Sequence, residues 1–426
     1  MNSSPQAVPR EGAAWLPAGR VLLSAYACEP GLGSESSVGW NWALGLAQAG
    51  CRVHVITRTA NRMRIEQWAG SALPGELNFT YLDLPAWARR WKRGKRGVHL
   101  YYLVWQWVAG RHARDVVAGG GFSLVHHVTF VTARFPSWMG RLGLPFVFGP
   151  VAGGESAPSA LWRGLGPRAV VTEVARLAST AWWRWSPSLR LTLKSAARVF
   201  ATSAQTLAAL PQVGVAKREV MLGIALDSMA ARPLRCAAQG GGPLRVVYAG
   251  NLLYWKGMEH GLRAVATAVS QGAHIELTMV GDGPCATRWQ ALAQQLGLEG
   301  RIVWRAQVDR SDFLGLLAKQ DLLLFPSLHD SGGMVVLEAM AAGLPVVCLN
   351  LGGPGIMVDE HSGVRVPAQT PGQVVADLGT ALAKLSRDRA MLDHMGTSAR
   401  SRAEGQFGWA SRIQSMLLVY REILGD

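Results

Sequence analysis

The chain has 426 residues, 49% of them hydrophobic, and a formal net charge of +15. A single core stops growing near ~250–300 residues, so this length implies two domains, and no uncharged apolar run of 18 or more residues marks a membrane-spanning helix. The five cysteines (Cys28, Cys51, Cys236, Cys285, Cys348) have no metal-ligand spacing, and Cys28, Cys51 and Cys348 lie in apolar stretches, as thiols buried in a reducing cytosol would.

The first ten residues lack the basic-then-apolar order of a secretory signal and read as a frayed tail. Residues 20–58 read as one β-α-β unit: an apolar strand Arg20 to Cys28, a Gly/Pro loop Glu29 to Glu35, a helix Ser36 to Ala49, and a strand Cys51 to Thr57. The loop Glu29-Pro-Gly-Leu-Gly-Ser-Glu35 can present N–H groups to a phosphate, with Gly33 the second of its two glycines. A dinucleotide fingerprint is not met, because the third glycine is missing and the second strand ends in Thr57-Arg58-Thr59 rather than in an acid.

Six of the eight residues from Arg89 to Arg96 are basic, among them Arg89, Arg90, Lys92 and Arg93, with Trp91 inside the run. Trp87, Tyr101, Tyr102, Trp105 and Trp107 accompany them. Basic residues interleaved with Trp and Tyr suit the headgroup layer of an anionic membrane. They also suit single-stranded nucleic acid, a partner the whole-chain reading sets aside, and a solvated basic face with its aromatics turned inward fits the same residues. Strands follow at Leu124 to Val131, Pro145 to Val151 and Val199 to Thr202, the first carrying His126-His127.

A composition shift at Pro233 to Pro243 precedes a second strand-helix alternation. Strands are expected at Arg245–Ala249, Ile275–Val280, Ile302–Trp304, Leu322–Phe325 and Pro345–Leu349, with helices between them, and a last helix at Trp409 to Leu424. This spacing predicts an α/β protein with doubly wound, Rossmann-like parallel sheets, whose ligands sit beyond the C-terminal ends of the strands. The stretch Phe325-Pro-Ser-Leu-His-Asp330-Ser331-Gly332-Gly333 runs from a strand into a helix carrying Glu338, which Gly343 and Pro345 end. Two acids beside an anion-binding helix start point to a ligand with both phosphate and hydroxyl groups, such as a nucleotide sugar.

The run from Pro326 to Val347 resembles the donor-binding signature of the retaining nucleotide-sugar glycosyltransferases of family 4: Pro-Ser, an acid, a Gly loop, then Glu-Ala-Met-Ala-x-Gly-x-Pro-Val-Val. The family's first acid is Glu, where this chain has Asp330. Lys256-Gly257 resembles the family's Lys-Gly phosphate-neutralising pair, while Asn251 stands where an Arg is usual. Gly281 and Gly283, in Val280-Gly-Asp-Gly-Pro284, resemble the turn near the nucleoside, and Ala27 to Trp42 resembles the opening loop of a bacterial subgroup.

The resemblance implies a GT-B architecture of two such domains facing a cleft: an acceptor-side domain at 19–212, a donor-binding domain at 213–406, and a final helix, 407–426, crossing back. It implies transfer of a sugar from a nucleotide diphosphate donor with retention, and with neither metal nor cofactor. In that scheme His127 and Asp330 touch the sugar, Lys256 and the helix starts at Gly33 and Gly333 meet the diphosphate charge, and Glu338 holds the ribose. Gly257, Gly281, Gly283, Ser331 and Gly332 line the donor. The implied acceptor is a glycan or lipid-linked glycan, reached from the cytoplasmic face of the membrane. A sugar-nucleotide epimerase of the same plan, or a non-catalytic membrane-associated protein with a decayed donor site, are the rival readings.

Overall fold

Strands that lie in sheets covered on both faces read as continuous apolar runs, and such runs build the middle of both sheets here. In the computed structural model the described residues are 20–31, 35–69, 73–74, 76–89, 97–214, 217–227, 234–235 and 242–425. They divide into two compact units, one within 1–154, 179–224 and 409–426, the other within 155–178 and 225–408.

Among the described residues the first unit holds seven strands: β1 (Arg20–Ala25), β2 (Arg52–Arg58), β3 (Leu77–Leu82), β4 (Phe122–Thr129), β5 (Phe146–Val151), β6 (Arg198–Ala201) and β7 (Lys217–Val220). They are ordered β3-β2-β1-β4-β5-β6-β7 and every pairing is parallel. One face is covered by Trp42, Ala43 and Leu46 of the helix Glu35–Gln48 together with Ile413, Met416, Leu417 and Tyr420 of the last helix, Trp409–Leu424. The other is covered by Tyr101, Tyr102, Trp105, Ala109 and Ala113 of the helix Val98–Ala118.

Among its described residues the second unit holds six: β8 (Leu244–Ala249), β9 (Ile275–Val280), β10 (Ile302–Arg305), β11 (Leu322–Phe325), β12 (Val346–Leu349) and β13 (Gly363–Val366). Their order is β10-β9-β8-β11-β12-β13, again all parallel. In each unit the strand order reverses once, between β1 and β4 and between β8 and β11. Ligand sites in such sheets lie at that reversal, beyond the carboxyl ends of the strands. The loops after β8 and β11 are those carrying Lys256 and Asp330.

Three details differ from the sequence reading. The first strand stops at Ala25, not Cys28, because side chains take over its backbone partners: the Tyr26 carbonyl accepts from Arg58 Nε and Asn61 Nδ2, both at 3.0 Å, and Ala27 N–H donates to Thr129 Oγ1 at 3.1 Å. Tyr101, Tyr102 and Trp105, read among the residues suited to a membrane surface, are buried in the core, while Trp87 and Trp107 stay exposed. Residues 155–178, placed by sequence in the first domain, pack within the second unit, and residues 217–224, placed by sequence in the second, pack within the first.

Candidate active site

In the second unit the loop after β8 runs Gly250 to Gly257 and the loop after β11 runs Pro326 to Gly333. Their closest tie is an ion pair, with Lys256 Nζ 2.5 Å from Asp330 Oδ2. The ammonium also lies over the Phe325 ring, 5.1 Å from its centroid. Hydrogen bonds to Trp255 O from Leu328 N–H, 2.7 Å, and from the Ser327 hydroxyl, 3.2 Å, lock the loops together. Gly257 is required for this approach: its φ is +69°, and a Cβ there would sit 2.0 Å from the Pro326 carbonyl oxygen.

Asp330 is placed from both sides. Its Oδ1 accepts from Gly332 N–H at 3.3 Å and its carbonyl accepts from Gly353 N–H at 2.8 Å, which brings the Leu351–Gly355 glycine loop against it. Ser331 and Gly332 continue the loop to Gly333, the residue that precedes the helix Met334–Ala341. Glu338, on that helix, is buried and lies 3.1 Å from the guanidinium of Arg310. The loop after β9, with Gly281 and Gly283, is tied to the β8 loop through Leu252 N–H to Asp282 O, 2.8 Å, and Cys285 N–H to Leu252 O, 3.0 Å. Lys256, Gly257, Asp330, Ser331, Gly332, Gly333, Gly281 and Gly283 therefore belong to one connected set of loops.

Two features here were not read from the sequence. Arg310 supplies a cation beside Glu338, in a unit where Asn251 stands at the position the family fills with Arg. Behind the loops, Glu173 accepts from Tyr254 OH at 2.8 Å and Ala157 N–H at 3.0 Å, and its Oε1 lies 3.2 Å from His329 Nε2. Burial pushes the Glu173 carboxyl up, but the bonds from His329, Tyr254 and Ala157 outweigh it and hold its pKa at about 2. His329 stacks on Trp255, ring centroids 5.6 Å apart, so a buried anion braces the residues flanking both Lys256 and Asp330. No motif marks Glu173, yet it is the only acid between Glu155 and Glu219, which was a signal available in the sequence.

His127 is buried, its Nε2 3.4 Å from the Tyr102 hydroxyl, which accepts in turn from Gln106 Nε2 at 2.7 Å. Burial, and then the neighbouring His126, lower its pKa to about 3, against a pull upward from the Phe130 backbone, so its imidazole is neutral at ordinary pH. Glu35 accepts from Val131 N–H, which joins the loops after β1 and β4, and burial raises its pKa. Gly33 lies outside the described residues, as do Arg90, Trp91, Lys92, Arg93 and the side chain of Arg89. Among the described residues no group of three or more His, Cys, Asp or Glu is arranged to hold a metal ion.

Two doubly wound parallel sheets, with glycine loops at the reversal of strand order, define the GT-B class. Residues 238–402 match the model of the family described as Glycosyl transferases group 1. The chain is 29% identical over 187 residues to 2-deoxystreptamine glucosyltransferase of Streptomyces kanamyceticus, a match covering 44% of this chain and 47% of the relative. The chain thus matches less than half the length of that curated relative. Among solved structures, the sucrose-phosphate synthase of Thermosynechococcus elongatus superposes with a TM-score of 0.63 at 18% identity, over 96% of this chain and 99% of that one. HepE of Anabaena, solved in complex with UDP and glucose, gives 0.56 at 15% identity, over 95% and 100%. At these identities the structural likeness establishes the fold.

Proposed function

We propose that the chain is a retaining glycosyltransferase that moves a sugar from a nucleotide diphosphate donor to a hydroxyl acceptor. The observation that carries this is the joined pair of loops in which Lys256 and Asp330 meet at 2.5 Å beside the start of the helix bearing Glu338. A donor diphosphate takes Lys256 from Asp330, freeing the carboxylate for a sugar hydroxyl, while Glu338 accepts from the ribose hydroxyls and Arg310 adds positive charge nearby. The UDP and glucose bound by HepE, and the glucosyl transfer named for the Streptomyces relative, support a donor of this kind.

The acceptor oxygen attacks the anomeric carbon on the face from which the diphosphate departs. The bond to the leaving oxygen breaks, its electron pair stays on the phosphate, and that oxygen takes the acceptor proton, so no protein general base is needed. Charge growing on the phosphate is met by Lys256 and by the backbone N–H groups at the helix start after Gly333. His127, neutral, is assigned to the sugar, and Gly33 to a second phosphate contact. Turnover should survive EDTA, since cationic side chains and N–H groups meet the phosphate charge. Loss of activity on chelation, restored by Mg²⁺ or Mn²⁺, would overturn the metal-free scheme.

A thermal-shift screen of nucleotide sugars identifies the donor, because a ligand at ~100 times its dissociation constant adds ~2.7 kcal/mol of stability. Glu338→Gln should then weaken that donor about tenfold to a hundredfold with the melting temperature of the free protein little changed, since the amide replaces one acceptor with a donor. Unchanged affinity in calorimetry would sink the assignment of Glu338. Donor binding without transfer or hydrolysis would favour the non-catalytic reading, and interconversion of the free donor the epimerase.

The acceptor we favour is a glycan or lipid-linked glycan at the cytoplasmic face of a membrane, with the chain bound peripherally. The net charge of +15, the Arg89, Arg90, Trp91, Lys92, Arg93 cluster and the exposed Trp87, Trp107, Trp182 and Trp185 support that reading. No helix among the described residues is long and apolar enough to cross a membrane.

A further inference from the structure

We infer that the first unit carries a phosphate-binding site separate from the donor loops, formed by Arg111, Arg114 and Arg141 between Trp107 and Trp138. These five side chains and Gly110 line a surface cavity of about 240 Å³. Trp107, Gly110, Arg111 and Arg114 fall at i, i+3, i+4 and i+7 of the helix Val98–Ala118, so they share one face. The opposite wall is the short 3-10 turn Trp138–Arg141. Gly110 lets the walls meet, since a Cβ there would sit 2.5 Å from Trp138 Cβ.

Two of the three guanidinium groups are oriented by aromatic faces rather than by carboxylates. Arg111 lies over Trp107, 4.8 Å from the ring centroid, and Arg141 over Trp138 at 4.3 Å. Stacking fixes the plane of each guanidinium while leaving its N–H fork turned to solvent, a geometry that matches two oxygens of a phosphate. No acid lines the cavity, and among the described residues no carboxylate pairs with any of the three arginines. Three cations around one hollow repel one another, and a dianion or monoanion seated among them relieves that repulsion. The ligand is therefore a phosphate group, either on a lipid headgroup at a membrane surface or on a soluble phosphate ester.

The test uses the full chain, vesicles of phosphatidylcholine with and without phosphatidic acid, and soluble glycerol phosphate. Arg111→Gln/Arg141→Gln should lower affinity for the acidic vesicles about 25-fold, roughly fivefold per arginine, with the fold and nucleotide-sugar binding unchanged. Arg111→Lys/Arg141→Lys keeps the charge but loses the stacked fork, and should still weaken binding several-fold. If glycerol phosphate binds the wild type and competes with the vesicles, the source is a soluble ester. If only the vesicles bind, it is the headgroup. Wild-type affinity in the Gln variant, or in the Lys variant, would overturn the site and leave an unspecific basic face.

Discussion

Lys256→Met is expected to lower kcat/KM about 10²–10³-fold, the usual cost of removing one preorganised group that meets charge developing in the transition state. The same change should reduce stability by about 1–3 kcal/mol, because it strips the counter-ion from the largely buried Asp330 carboxylate. The two effects are separable. Lys256→Met/Asp330→Asn removes the charge that was left unpaired, so it should regain most of the lost melting temperature while turnover stays low. A single variant whose kcat/KM stays within threefold of wild type, measured with the donor found by thermal shift, would show that the ion pair is structural and that phosphate charge is met elsewhere.

What was legible in advance followed from backbone chemistry. β9, β11 and the helix Trp409–Leu424 appear at the residues expected, because long apolar runs punctuated by Gly and Pro leave few alternatives. The Lys256–Gly257 and Asp330–Gly333 loops were legible because a parallel sheet places them at the reversal of strand order. Arg310 and Glu173 were not, since each reaches its partner across many residues: Arg310 lies 28 positions before Glu338, and Glu173 lies 81 before Tyr254 and 156 before His329. The helix Val98–Ala118 was hidden for a different reason. Its aromatics occur on buried and exposed faces alike, Trp105 inside and Trp107 outside, so composition suggested a surface where the fold built half a core.

His127 is the histidine assigned to the sugar; successive residues of a strand point to opposite faces, and its neighbour His126 has its own structural task. Its Nε2 lies 2.7 Å from the Gly149 carbonyl oxygen, which can only accept, so that nitrogen carries the proton. Nδ1 is then the acceptor for the Tyr420 hydroxyl at 2.6 Å, and Tyr420 belongs to the last helix, so a neutral imidazole ties that helix to β4. Burial lowers the His126 pKa to about 4, against an upward pull from the Gly149 bond. The ordinary imidazole value in the unfolded chain is ~6.5. Above that pH neither state is protonated and the contribution is fully present. As pH falls from 6.5 toward 4 the unfolded chain takes up a proton that the folded chain refuses, and stability is lost, by about 3 kcal/mol in all. His127 acts in the same direction toward lower pH. Denaturant melts between pH 7 and 4 should therefore show stability falling with acid, and His126→Gln, less stable at neutral pH, should reduce that slope by up to ~1.4 kcal/mol per pH unit. Equal slopes in the two proteins would mean that His126 titrates freely in the native state, and that the last helix is held to β4 without it.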